Sequence, residues 1–125
     1  MTIEKAISLF DSQRRNDVTA SLKIEWLSEL DWKIYEELLK KRYDIQFNGY
    51  TSGTSTSTEL LAPEAFSEIY PAYLIMKTDY MNAETGRYNN SASVFNRLYY
   101  ELTSFVNREK PIKSNVKLKA GKIYV

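Results

Sequence analysis

The stretch from Pro63 to Arg108 constrains the fold most, because apolar and aromatic residues recur there at helical spacing on both sides of a short polar break. On the later side Val94, Phe95, Leu98, Leu102, Phe105 and Val106 repeat at intervals of three and four, the clearest amphipathic pattern in the chain. On the earlier side Phe66, Ile69, Tyr70, Tyr73, Leu74, Tyr80 and Met81 read as one apolar face. Pro63 suits a first helical turn and Glu64 adds favourable charge there. Pro71 lacks the N–H that a helix interior needs, so the spacing predicts one helix kinked around Ser67 to Pro71. Asn82-Ala83-Glu84-Thr85-Gly86 offers small polar residues and a capping glycine, with the next helix starting at about Arg87. Two antiparallel helices packed along each other are expected.

Ahead of this hairpin, Ile3, Ala6, Ile7 and Phe10 mark a short amphipathic helix over Thr2 to Gln13, with Thr2 as its N-cap. Thr19 or Ser21 caps a second helix whose stripe is Trp26, Leu27, Leu30, Ile34 and Leu38, closed by Lys40, Lys41 and Arg42. Tyr43, Ile45 and Phe47 then alternate with polar residues up to Asn48-Gly49, a dipeptide that tolerates positive φ, which predicts a short strand or extended arm. The Ser/Thr/Gly run from Thr51 to Thr58 buries little apolar surface and reads as a mobile loop that orders on assembly. Pro111 stops the last helix, and Val116, Leu118 and Ala120 alternate with Lys117 and Lys119 before Ile123-Tyr124-Val125, the pattern of an edge strand with an apolar end. The fold class expected is therefore mainly α: a four-helix domain with a kinked hairpin, a long extended loop or short β arm, and a C-terminal β-strand tail. Residues 1–112 form the helical domain, including the loop at 43–62, and 113–125 form the tail.

With 125 residues the chain has room for one domain and one core. It has no Cys and no His, which excludes a disulfide framework, a thiolate zinc site, a Ser-His-Asp triad and a histidine base. The carboxylate pairs Glu36/Glu37, Glu25/Glu29 and Asp79/Glu84 have no spacing that forces them into one pocket. Gly49 to Gly53 lacks the Lys-Ser/Thr that a phosphate-binding loop requires. No apolar run is long enough to cross a bilayer, and MTIEKAISLF lacks a basic flank before an apolar block, so a cytosolic site without membrane contact is expected. Ten Tyr supply apolar bodies with polar tips, suited either to core filling or to half-buried subunit contacts.

The net charge of +1 is unevenly placed. From Arg108 onward six cations face Glu109 alone, leaving the other 107 residues at −4. A basic end on an acidic body suits an acidic protein partner or nucleic acid, or it is a solubilising terminus. Its alternation of Lys with apolar residues favours strand pairing, either with a partner's sheet or internally with Tyr43 to Phe47.

The hairpin also carries a resemblance. Glu59-Leu60-Leu61-Ala62-Pro63, Glu68-Ile69-Tyr70 with Tyr73-Leu74, then Asp79, Asn82 and Glu84, Tyr88-Asn89-Asn90-Ser91 and Phe95-Asn96 occur in an order that resembles the head-tail connector, or adaptor, proteins of long-tailed siphovirus-type bacteriophages. The likeness runs from about Ser21 to Pro111 and includes Trp26-Leu27-Ser28-Glu29-Leu30-Asp31; Pro71 departs from it. It implies a mostly helical virion protein, neither enzyme nor cofactor carrier. Assembled in the host cytoplasm, such a protein forms a homo-oligomeric ring of twelve subunits beneath the portal. The ring extends the channel through which DNA passes without sequence-specific binding, and it offers the surface for a tail completion or tail terminator protein. The candidate contacts with portal or neighbouring subunit are Tyr50, Thr51, Ser52, Thr54 and Thr56 in the loop, and Lys113, Val116, Lys117, Leu118, Lys119, Lys122, Ile123, Tyr124 and Val125 in the tail. The other reading is a small helical nucleic-acid-binding or regulatory protein that sets its basic tail on phosphates.

Overall fold

A computed structural model describes residues 1–110, and among them the fold is mainly helical: α1 (Ile3–Gln13), α2 (Ala20–Ile34), α3 (Ile69–Met81) and α4 (Thr85–Glu109), with no β-strand. The C-terminal strand expected over 113–125 lies outside the described residues. α3 is the central element, packed most extensively on α4 and also against α2 and α1. Ile69, Tyr70 and Leu74 are fully buried there, with Phe10, Leu27, Leu30, Ile34 and Leu102 around them.

Both threonine caps form as the sequence indicates. The Thr2 hydroxyl accepts the N–H of Lys5, and that of Thr19 accepts the N–H of Leu22, each at 3.2 Å, satisfying donors that a helix N-terminus leaves without partners. The stripe Trp26, Leu27, Leu30, Ile34 and Leu38 is buried throughout. α2 does not run regularly to Arg42, however. Residues Tyr35–Leu39 widen into a π-helical turn closed by Lys40 N–H on Tyr35 O at 2.8 Å, which brings Tyr35, Leu38 and Leu39 all into the core.

The kinked helix is corrected. Glu64–Phe66 form one 3-10 turn, and α3 begins afresh at Ile69, so that Pro71 falls in its first turn, where an N–H has no intrahelical acceptor to lose. The hairpin turn is corrected as well. Ala83, at φ +55°, takes the left-handed position after α3, with its N–H on Tyr80 O and the Glu84 N–H on Asp79 O, both at 3.1 Å. This is the Schellman arrangement usually given to glycine. Gly86 lies instead within the first turn of α4. The apolar face read for α3 breaks at its end, where Tyr80 and Met81 are 69% and 50% exposed.

Candidate interaction surface

The segment that joins α2 to α3 carries the loop residues singled out in the sequence, and the structure ties it down at both ends. The strand expected over its first part, Tyr43 to Phe47, does not form: Tyr43 is a bend whose N–H donates to Leu39 O at 2.9 Å, and no strand follows it before Gly49. Phe47 is buried with its ring 5.0 Å from Trp32 and 5.1 Å from Tyr50 in edge-on contacts. Gly49, at φ +83°, passes so close to α2 that a Cβ would sit 2.9 Å from Trp32 Nε1 and 3.2 Å from Ser28 Oγ. The Ser28 hydroxyl in turn accepts the Tyr50 N–H at 2.9 Å.

Asp31 fixes this segment to the core. Fully buried on α2, its Oδ2 accepts the Tyr50 hydroxyl at 2.5 Å and the Leu61 N–H at 3.0 Å, and its Oδ1 accepts the Tyr70 hydroxyl at 2.7 Å. The Tyr70 oxygen also receives the Ala62 N–H at 2.8 Å. One carboxyl thus joins α2, α3 and both ends of the connecting segment. Burial pushes the Asp31 pKa up against the pull of these donors. Burial, then the Asp31 charge, also pushes the Tyr50 and Tyr70 hydroxyls up, so both remain protonated donors. The sequence reading gave Asp31 no role, although an acid four residues after Leu27 and three before Ile34 lies on the apolar stripe, which is the signal that could have found it.

The expectation of a mobile Ser/Thr loop is corrected by the contacts of the loop within this one chain. Thr54 N–H donates to Thr51 O at 2.9 Å and Thr51 N–H to Thr54 Oγ1 at 2.8 Å, closing a tight turn. Farther on, Thr56 O accepts the N–H of Glu4 at 3.0 Å and Thr58 O that of Ile3 at 3.1 Å. The loop therefore caps the first turn of α1 with its own carbonyls. Of the loop residues named from the sequence, Tyr50 is committed to Asp31, Thr54 is half-buried in the turn, and Thr51, Ser52 and Thr56 are exposed. Lys113, Val116, Lys117, Leu118, Lys119, Lys122, Ile123, Tyr124 and Val125 lie outside the described residues.

A second buried acid holds the hairpin. Asp79, fully buried near the end of α3, pairs with the guanidinium of Arg14 just after α1 and accepts the Ser91 hydroxyl of α4 at 2.8 Å. This node lies by a groove of about 390 Å³ whose apolar side is formed by Pro71, Ile75, Val94 and Leu98 and whose polar side includes Arg14 and Arg87. Most hairpin aromatics are used between elements: Tyr73 meets Phe95 at 5.2 Å, Phe66 meets Phe105 at 4.8 Å, and the Tyr99 hydroxyl donates to Glu37 at 2.6 Å. That hydrogen bond is the main reason the Glu37 carboxyl sits below the usual carboxylate range. Two exposed aromatic sites remain, Tyr80 with Tyr88 and Met81 at the hairpin tip, and Tyr100, 72% exposed, on α4.

All the carboxylates marked in pairs in the sequence except Glu25 meet cations, Asp79 through Arg14. Glu36 faces Lys40, Glu37 faces Lys33, Glu29 faces Lys77 and Glu84 faces Arg87, all within 3.4 Å. No cluster of three or more potential metal ligands occurs among the described residues. Compared with protein-family models, with curated proteins and with solved structures, the chain matches none.

Proposed function

We propose that this protein is a non-enzymatic structural subunit of a phage head-tail connector, forming a ring of twelve copies beneath the portal. The ordered set of hairpin residues that resembles such adaptors motivates the reading. The observation that carries it is the separation of two exposed aromatic sites on one helical scaffold, Tyr80 with Met81 at the tip and Tyr100 about 18 Å farther along α4 than Tyr88. A closed ring needs two different patches on each subunit, because each contact is head-to-tail. Neither patch need bind strongly, since many repeated contacts act together once the ring closes.

In this reading the exposed Thr51, Ser52 and Thr56 and the lysines of the basic terminal segment meet the portal or a neighbouring subunit, the tail completion or terminator protein binds the far side, and DNA passes through the channel without base-specific contacts. Co-sedimentation with purified portal oligomers tests it. The full chain is expected to sediment with the portal, and loss of residues 113–125 is expected to weaken that association. Failure of the full chain to sediment overturns the reading, and unchanged docking without 113–125 removes the terminal segment from it. The second reading, DNA binding through the six cations after Val106, would instead give binding that falls steeply with salt and needs no portal.

A further inference from the structure

The groove beside the Asp79 node takes its floor from two helices. Pro71 and Ile75 of α3 and Val94 and Leu98 of α4 each stand one turn apart, so each helix presents an apolar stripe to the same space. Val94 is left 44% exposed there. The volume, about 390 Å³, is that of a small-molecule site and has room for about a dozen non-hydrogen atoms.

The other wall is made of donors. Arg14, just past the end of α1, uses Nη1 on the fully buried Asp79, which fixes the guanidinium in place. Among the described residues its Nε and Nη2 meet no acceptor, and neither do the side-chain amides of Gln13 and Asn90, which line the same groove. The free Arg14 donors are not sealed from solvent, so an incoming acceptor can reach them. Arg87, 62% exposed, touches only Glu84, at 3.4 Å from Nε. The lining holds one acid, Glu68, which stands about 16 Å from Asp79 along the axis of α3, at the far end.

We propose that this groove binds a small amphiphilic carboxylate, its chain on Pro71, Ile75, Val94 and Leu98 and its head on the guanidinium groups of Arg14 and Arg87. The Nε and Nη2 hydrogens of an arginine lie side by side, the fork that holds both oxygens of one carboxylate. A cationic head would be repelled by the same two arginines, and a purely apolar molecule would cover them without giving an acceptor. The inference does not depend on the connector reading.

Titration of the full, isotope-labelled chain with sodium decanoate tests it, followed by NMR at the amides of Ile75, Val94 and Leu98 and at the Arg14 Nε–H. Saturable shifts at these positions are expected, with half-saturation below about 1 mM. Decyltrimethylammonium, which has the same chain and the opposite charge, is expected to bind at least about ten-fold more weakly. Val94→Trp fills the groove from its exposed side and is expected to abolish the shifts. Arg14→Lys keeps a cation for Asp79 but not the side-by-side donors, and is expected to weaken binding about ten-fold while the rest of the spectrum stays that of the folded chain. Should that variant fail to fold, Arg87→Gln on the surface reads the same head contact, with an expected loss of about three-fold. Absence of saturable shifts, equal binding of the two amphiphiles, binding that survives Val94→Trp, or binding unchanged by loss of the arginine would each overturn the proposal. So would a concentration-dependent dimer that Val94→Trp dissociates, which would assign the groove to a second copy.

Discussion

Asp31 gathers donors from Tyr50, Tyr70 and Leu61 at a fully buried position, so its loss should be felt by three elements at once. Asp31→Ala leaves those donors without an acceptor and opens a cavity, and urea unfolding should show a loss of about 3 kcal/mol. The pH dependence follows from its raised pKa. The folded chain keeps this proton to higher pH than the unfolded chain does, so the associated stability is full below the ordinary value of 3.8 and is lost as pH rises through the raised value. Unfolding free energy of the unsubstituted chain should accordingly fall relative to Asp31→Asn over that rise. Asp11, held down by the Lys23 ammonium, and Glu37, held down by Tyr99, run the other way, their stability present above the ordinary range and lost on acidification. Both are largely exposed and their contributions are small.

At the scale of elements, local signals were legible where local chemistry decides. Thr2 and Thr19 cap as their side chains allow, and the stripe of α2 and the Phe95, Leu102 and Val106 positions of α4 are buried as their spacing indicates. What the sequence did not disclose depends on neighbours. α3 is central and packed on several sides, so the single apolar face read from its spacing does not hold to its end, and its last turn, with Tyr80 and Met81, extends beyond the core. Thr51 to Thr58 looked too polar to order because its partners, the orphan N–H groups of Ile3 and Glu4, lie some fifty residues away. Asp31 and Asp79 were visible as letters, but their partners come from other elements. Two substitutions test the corrected hairpin. Pro71→Ala should change stability by less than about 1 kcal/mol, against ~3 kcal/mol for a proline inside a helix. Ala83→Gly should raise it by up to about 1 kcal/mol, because glycine adopts the left-handed cap without the Cβ clash. Calorimetry on each variant decides both.

For the whole molecule, two buried acids divide the work of holding four helices together. Asp31 secures the long connection across α2 and α3, while Asp79 with Arg14 and Ser91 secures α1 to the hairpin. The result is a firm helical body that leaves Tyr80, Met81 and Tyr100 exposed. In the proposed connector reading this body repeats around an axis. Electron microscopy of the purified full chain mixed with isolated portal oligomers measures it directly. The account predicts a ring of added density coaxial with the portal, built from twelve copies of a helical subunit. Portal particles without added density, at concentrations where the chain is folded and in excess, would contradict it.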